Sequence, residues 1–385
     1  MNDDLLELEI TGFAHGGYGV ARYEGVVVFV AAALPGETVL ARVHTRRKRF
    51  WFAVTEVVAV PSPDRVTPPC PLARPDLCGG CDLQHASLTR QRGLKSQVIT
   101  EQLARLGGLD RSVTVAAVPG DRDGLDWRTR VRYSIAPDGH VGFRRAGSSH
   151  VVVVKDCPIA TPAVREAEFA GTRVTAGAWP DAEEVIVAAG SEAVAVCPVP
   201  GGDRRQVLRE SVLGVDLWVG VTGFWQVHPG AAPALASAVL ANVAPGARVW
   251  DLYAGVGLFS KVLAHRGQQH LVCVEGDRRA SDQARKNLRG SDVEVVRSDV
   301  ARWLGGRSDV DTVVLDPPRS GAGREVLDGI SATNASRIVY IACDPAALAR
   351  DLRIAGDSGW MVGSIEGYDM FPMTHHVECV AVLDR

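Results

Sequence analysis

The chain has 385 residues, of which 46% are hydrophobic and 23% charged, and its formal net charge is −3. This composition excludes a disordered acidic or basic chain, and at roughly 150 residues per domain the length predicts two or three domains. Because the charge is nearly balanced, any contact with nucleic acid has to come from local basic patches. The eight cysteines are too few for a disulfide scaffold.

The start of the chain, MNDDLLELEI, is acidic where a secretory signal would be basic. The longest apolar run, residues 26–34, is far shorter than the roughly 20 residues of a membrane helix. We therefore expect a cytoplasmic protein that does not contact membranes. In such a reducing compartment, clustered cysteines favour metal binding or catalysis.

Residues 1–60 have the pattern of a small β-barrel, with short β-rich runs separated by glycine turns. One of these turns is strongly basic, and we call Arg46, Arg47, Lys48 and Arg49 the basic turn. Aromatic residues that include Trp51 follow directly. Cations beside rings predict an RNA-binding surface, and the alternative is a solvated turn that leads into a core strand.

Residues 61–220 form a second region, which begins at a proline-rich stretch. Apolar residues at helical spacing predict a helix over residues 88–109 that ends at Gly107 and Gly108 and packs on the C-terminal region. The β-like alternation from residue 113 onward indicates a mostly β or α+β domain. Its RTRVRY segment predicts a row of three arginines on one strand face, as a second RNA contact or as a solvated sheet face. These residues are Arg128, Arg130 and Arg132.

Residues 221–385 alternate between continuous apolar strands and helical stretches, which predicts a parallel, doubly wound α/β sheet. The predicted fold class is thus a multidomain chain with an OB-like barrel, a central α+β domain and a C-terminal Rossmann-like domain. The expected domain bounds are 1–60, 61–220 and 221–385.

The first strand of this C-terminal region ends in a glycine-rich turn, and acids end the next three strands. The turn contains Tyr253, Gly255 and Gly257, and the three acids are Glu275, Asp299 and Asp316. An acid about twenty residues after such a turn can bind two ribose hydroxyls. The array resembles the class I S-adenosylmethionine-dependent methyltransferases. A dehydrogenase of the same topology is the alternative, which the incomplete GxGxxG pattern disfavours.

Cys343 ends another apolar strand, where doubly wound sheets place their ligands. The helix that we expect to begin near Pro345 would lower its pKa, whereas the alternative is an inert buried cysteine. Next to a methyl donor, a thiol suits methylation of uracil at carbon 5, which becomes nucleophilic after thiolate addition at carbon 6. Arg319 replaces the aromatic residue expected in enzymes that methylate exocyclic amines.

This chemistry also needs a base that removes the proton from carbon 5. Glu378 is the candidate, with His375 and His376 as alternatives.

The segments DLYAGVGLFS, VLDPPRSGAG, IVYIACDPAALARD and DMFPMTHHVECV together resemble the RNA uracil-5 methyltransferase family. The resemblance implies that Cys343 is the nucleophile and Glu378 the base. It also implies that Gln226, in FWQVHPGA, joins Tyr253 and the three acids in binding the donor. Residues 1–60 resemble the TRAM domain of the same family, which strengthens the prediction of RNA binding.

Three cysteines lie close together in CPLARPDLCGGC, and a distant fourth could complete a metal site. They are Cys70, Cys78 and Cys81, and Cys157 is the best fourth candidate, because Cys197 lies in an ordinary strand pattern. We call these four the cysteine cluster. Four thiolates can bind zinc or a 4Fe-4S cluster. The segments CGGCDLQHA and KDCPI resemble the cluster-bearing members of the family, which favours 4Fe-4S.

The resulting prediction is an enzyme that forms 5-methyluridine in structured RNA, with 23S ribosomal RNA favoured over transfer RNA. A noncatalytic RNA-binding or assembly factor is the rival of another class. It is disfavoured because this chain has the thiol, the base and the donor acids. No protein partner is inferred.

Overall fold

The computed structural model describes residues 5–167, 172, 179 and 181–385. The N-terminal part is a six-stranded sheet in the order β1-β5-β6-β4-β3-β2, antiparallel except between β4 and β6. Its strands are β1 (Leu5–Glu9), β2 (Gly12–Ala14), β3 (Tyr18–Tyr23), β4 (Val26–Ala31), β5 (Thr38–Arg46) and β6 (Phe50–Val60). Since β1 and β3 also contact each other, the sheet curls around a core of its own. The predicted β-rich start of the chain is therefore present.

A long helix links this sheet to the rest of the molecule. α1 (Leu88–Gln102) begins at Ser87, whose hydroxyl accepts a hydrogen bond from the backbone N–H of Arg90. It continues as a π-helical turn, Leu103–Gly107, and ends at Gly108, which has a left-handed φ of 67°. Ile99 and Leu103 are fully buried in the core of the C-terminal sheet. The helix thus lies within residues 88–109, and its buried side chains pack on the C-terminal sheet.

The middle of the chain contains a five-stranded antiparallel sheet in the order β10-β9-β8-β11-β12 and a separate hairpin, β13-β14. The elements, including a short β7 outside this sheet, are β7 (Val115–Ala117), β8 (Arg130–Ile135), β9 (Val141–Arg144), β10 (Val151–Val153), α2 (Pro162–Arg165), β11 (Glu184–Ala189), β12 (Val194–Val199), β13 (Val207–Val212) and β14 (Val215–Gly220).

The C-terminal part is built on an eight-stranded sheet in the order β17-β16-β15-β18-β19-β21-β20-β7. Its elements are α3 (Ala231–Asn242), β15 (Val249–Leu252), α4 (Leu258–His265), β16 (Leu271–Glu275), α5 (Arg278–Asn287), β17 (Val293–Arg297), α6 (Val300–Leu304), β18 (Thr312–Leu315), α7 (Gly323–Ser331), β19 (Arg337–Ala342), α8 (Pro345–Asp357), β20 (Met361–Asp369) and β21 (Glu378–Asp384). Strands β15 to β19 are parallel, as predicted, and β21 is antiparallel to both neighbours. Strand order reverses at β15, so ligands are expected at the carboxyl ends of β15 and its neighbours.

Two segments before residue 221 also belong to this C-terminal core. β7, which the sequence pattern assigns to the middle region, pairs with β20 at the edge of the sheet. Leu217 and Val219 of β14 pack in the same core as Leu258 and Phe259 of α4. The residues of such a short apolar strand do not show which strand it will pair with. The pairing is determined only when the whole chain folds. Within the described residues, no helix is long and apolar enough to cross a membrane.

Candidate active site

The turn after β15 has the backbone geometry of a ligand-binding loop. Tyr253, Gly255 and Gly257 have φ values of 60°, 57° and 87°, all left-handed. Asp251 holds the start of α4 next to the turn. Its Oδ2 accepts hydrogen bonds from the backbone N–H of Ser260 at 2.9 Å and from the Ser260 hydroxyl at 2.6 Å. Burial raises the pKa of Asp251 to about 6, although the bonds from Ser260 oppose the shift.

Two of the predicted acids lie at adjacent strand ends beside this turn. Glu275 ends β16, and its carboxylate accepts hydrogen bonds from the backbone N–H groups of Gly255 at 2.8 Å and Asp277 at 2.6 Å. Asp299 follows β17 and caps α6 through a 3.0 Å bond from the backbone N–H of Arg302. The two carboxylates therefore share the carboxyl edge of the sheet with the turn.

Gln226 reaches this part of the molecule from the loop between β14 and α3, and its side chain is buried. The preceding residue, Trp225, packs in the same core as Val256 of the turn and Leu258 of α4.

Strand pairing brings Cys343 and Glu378 together. Ala342 of β19 lies opposite Cys379 of β21, so the next pair beyond the strand end sets Cys343 against Glu378. Asp316 follows β18, the other neighbour of β19. The charges of Glu378 and Asp316 both act on the Cys343 thiol, which places the three groups in one site.

Burial and neighbouring charges favour the protonated forms of the acidic side chains in this site. Burial raises the pKa of Glu378 far above its usual range, and the Asp316 carboxylate raises it further. Burial, with Asp251, raises the pKa of Asp316 to about 7. Burial, Glu378 and Asp316 together raise the pKa of Cys343 to about 12. Arg319 is the cation that opposes the shifts of Glu378 and Cys343.

The expectation that the following helix lowers the pKa of Cys343 is therefore wrong. Asp344 caps α8, and its Oδ1 accepts a 2.7 Å hydrogen bond from the backbone N–H of Ala347. A carboxylate thus already occupies the positive end of the helix, and burial dominates the thiol.

The two alternative bases lie near the same site. His375 Nδ1 makes a short contact with the Asp82 carboxylate, and its ring centroid lies 4.1 Å from that of His376. Burial, His375 and Arg319 lower the pKa of His376 to about 4, so His376 is neutral at physiological pH but weakly basic.

The four thiols of the cysteine cluster line a single cavity, although Cys157 is distant in sequence from the other three. Burial raises the pKa of Cys81 to about 12 and that of Cys157 to about 11. Arg128 lines the same cavity, and its charge opposes the rise that burial causes in the pKa of Cys78 and Cys157. Four sulfur donors with a cation beside them suit a group that binds thiolates. The described residues nevertheless contain no group of three or more His, Cys, Asp or Glu side chains spaced to hold a metal ion.

The predicted RNA-binding residues differ in their surroundings. All four residues of the basic turn are exposed, and the Arg46 guanidinium lies 4.5 Å from the centre of the Trp51 ring. The expectation of one exposed row of arginines is wrong. Arg130 is buried against Glu210 and Arg128 faces the cysteine cluster, whereas Arg132 is exposed and pairs with Glu184 at 2.6 Å.

One residue of the site has no signal in the sequence. His15, in the turn after β2, places its Nε2 3.1 Å from Oδ2 of Asp344, the residue after the nucleophile candidate. This contact exists only because the folded chain brings the turn after β2 to the start of α8.

Comparisons with known proteins identify the family of this chain. The family described as tRNA (uracil-5-)-methyltransferase matches residues 306–385, and the methyltransferase small domain matches residues 227–332. An RNA methyltransferase of Streptomyces avermitilis is 41% identical over 98% of both chains. The 23S rRNA (uracil(1939)-C(5))-methyltransferase of Alkalilimnicola ehrlichii is 34% identical over 98% of this chain and 96% of its own. The chain belongs to the RNA uracil-5 methyltransferase family.

This family member also shares its fold with a solved structure over almost its whole length. The tRNA (uracil-54, C5)-methyltransferase of Pyrococcus abyssi, in complex with S-adenosyl-L-homocysteine, superposes with a TM-score of 0.76 at 24% identity. The match covers 98% of this chain and 99% of the other. The protein is an S-adenosylmethionine-dependent RNA methyltransferase of the uracil-C5 type.

Proposed function

We propose that this enzyme forms 5-methyluridine in 23S ribosomal RNA, with Cys343 as the nucleophile and Glu378 as the base. The observation that supports these roles is the pairing of β19 with β21, which sets the two side chains against each other beside the donor turn. A thiol and a carboxyl on one small surface are the two groups that methylation at carbon 5 of uracil needs.

In the proposed reaction, the Cys343 sulfur adds to carbon 6 of uracil and forms an S–C bond, so that negative charge spreads over carbon 5 and oxygen 4. S-adenosylmethionine, when bound, supplies an electrophilic methyl group for carbon 5. Glu378 then takes the proton from carbon 5, and the electron pair restores the double bond as the sulfur leaves. Burial raises the pKa of Cys343, to about 12, and that of Glu378, so both groups must release their protons to solvent as the RNA binds. Only then can the thiolate add to carbon 6 and the Glu378 carboxylate accept the proton from carbon 5.

The donor would be held at the carboxyl edge of the sheet. Glu275 suits the ribose hydroxyls and Asp299 suits the adenine amino group or a nearby hydroxyl. Gln226, Tyr253 and Asp316 would complete the site, and Gly255 and Gly257 let the backbone approach the ligand. The left-handed turn and the two neighbouring acids support this assignment.

We propose that the cysteine cluster binds 4Fe-4S. The four thiols face one cavity, and Arg128 beside them would stabilise their ionised forms. Thiolate addition and methyl transfer require no electron transfer, so we assign the cluster a structural or RNA-positioning role. The N-terminal sheet is proposed to be a TRAM-like RNA-binding domain over residues 1–60, followed by a central domain over 61–220 and the methyltransferase domain over 221–385.

The RNA target is tested by mapping 5-methyluridine in total RNA from a deletion strain by mass spectrometry. We expect one 23S rRNA fragment to lose the modification, in line with the ribosomal activity named for the Alkalilimnicola relative. Loss from transfer RNA alone would reassign the substrate. A strain whose modified fragments are all unchanged would contradict the proposed function.

A further inference from the structure

A groove of about 560 Å³ lies between the N-terminal sheet and the end of α1. Val20, Val27 and Phe29 of the sheet line the groove, together with Arg22 of β3 and Arg105 of the π-helical turn. Both arginines are exposed, and within the described part of the chain neither forms an ion pair. Glu101 also lines the groove, but its Oε1 accepts a hydrogen bond from the Gln97 amide at 2.8 Å. The groove therefore carries two positive charges against one negative charge, a net positive charge of one.

Aromatic rings extend from the groove toward the basic turn. Phe29 lies 5.5 Å from Phe52 and 5.8 Å from Phe50, and Tyr18 lies 5.4 Å from Phe52, between ring centroids. All four rings are only half-buried. Phe50 directly follows the basic turn, so the rings connect the groove to its exposed cations. Partly exposed rings beside cations can stack on nucleic-acid bases of any sequence.

The groove also reaches the neighbourhood of the active site. His15 lines the groove and also contacts Asp344, which follows Cys343 in the chain. A strand that lies in the groove would therefore lead to the nucleophile. Two cations, stackable rings and this continuity favour RNA, which is the substrate of the enzyme, over a protein segment.

We propose that this groove binds an unpaired stretch of RNA that leads to the target uridine. Arg22 and Arg105 would contact phosphates, and Phe29 with its neighbouring rings would stack on bases. The stretch must be unpaired, because bases inside a duplex cannot present their faces to protein rings. This inference rests on the proposed methylation of structured RNA, but the binding step can be tested without chemistry.

The first test uses a short oligoribonucleotide of adenosine and cytidine, which contains no uridine to methylate. Its affinity is measured by fluorescence anisotropy at several salt concentrations for the wild type, Arg22→Ala, Arg105→Ala and the double variant. Each lost phosphate contact should flatten the salt dependence by about 0.7 units of slope for a single strand. Arg205→Ala removes an exposed charge outside the groove and serves as the matched control. Unchanged slope and affinity in the double variant would overturn the proposal.

The second test examines stacking. Phe29→Ala should weaken binding of the same oligonucleotide roughly 5- to 150-fold, the range for loss of one stacked base. Because Phe29 also packs on Phe50 and Phe52, its loss affects the sheet as well, and ultraviolet crosslinking of the wild-type protein provides an independent measurement. We expect crosslinked peptides from the segment that holds Tyr18 and Phe29. Crosslinks confined to other segments would contradict the groove.

Methylation of full-length RNA by the wild type separates the two proposals. If 5-methyluridine forms while the groove variants bind both RNAs like the wild type, the groove proposal fails and the proposed function stands. If the wild type forms no 5-methyluridine, the proposed function fails, and binding of the uridine-free oligonucleotide still decides the groove.

Discussion

Replacement of Glu378 by glutamine should leave methylated RNA covalently bound to Cys343. Glutamine has nearly the same shape as glutamate but cannot accept the proton from carbon 5. Addition and methyl transfer come before that proton leaves, so they should still occur. Elimination should then stall, because loss of a general base slows such a step roughly 100- to 10,000-fold.

The electrostatics of the site indicate that Glu378→Gln will not slow the addition of Cys343 to carbon 6. The pKa of Cys343 is raised from 9.0 to about 12, which corresponds to a roughly 1,000-fold smaller thiolate fraction at neutral pH. Burial is the largest cause and the charge of Glu378 is the next. Because glutamine carries no charge, it removes the second cause, and the adduct should form at least as fast as in the wild type.

The variant should also fold. The pKa of Glu378 is higher in the native state than its usual 4.5, so this carboxyl weakens the native state as pH rises above about 4.5. Glutamine removes that penalty, and thermal unfolding at pH 8 should begin no earlier than in the wild type.

The assay is denaturing electrophoresis with labelled RNA and a labelled methyl group. Glu378→Gln should give a slower band that carries both labels. Wild type should give such a band only with 5-fluorouridine RNA, where fluorine replaces the proton that the base removes. Cys343→Ala and the double variant should give none. An adduct on Cys343→Ala would disprove the nucleophile. A folded, donor-binding Glu378→Gln without an adduct would move the base role to His375, His376 or water.

Three further predictions concern other parts of the chain. Protein purified without oxygen should be brown and contain about four irons, whereas stoichiometric zinc without iron would reject 4Fe-4S in the cysteine cluster. Alanine at all four positions of the basic turn should weaken RNA binding and flatten its salt dependence, by about 0.7 to 0.9 units of slope per lost phosphate contact. The rate at saturating RNA should change little, and an unchanged affinity at every salt concentration would indicate a solvated turn. Arg319→Ala removes the cation that lowers the pKa of Cys343, so alkylation of this thiol by iodoacetamide should require higher pH. An unshifted alkylation profile would show that Arg319 does not act on the thiol.

Much of the C-terminal fold could be predicted from local sequence, because its strands are continuous apolar runs with acids or turns at their ends. Such runs predict a parallel sheet, and strand ends on one edge predict that Glu275, Asp299 and Asp316 gather there. The helix over residues 88–109 was predictable for the same reason, since its apolar spacing and final glycines are local signals. Strand β7 was not, because three apolar residues can pair with any open sheet edge.

Residue types and their spacing were enough to identify the groups available: a thiol and a carboxyl at strand ends, a glycine-rich turn, four cysteines in two segments and a cluster of basic residues. The charge and burial of these groups, however, depend on the folded chain. Burial and neighbouring charges raise the pKa of Cys343, although a helix start follows it. Packing buries Arg130, turns Arg128 toward the cysteine cluster and brings His15 to Asp344. The reason is physical: desolvation and Coulomb interactions depend on which groups lie within a few ångströms, and chain folding brings together residues far apart in sequence.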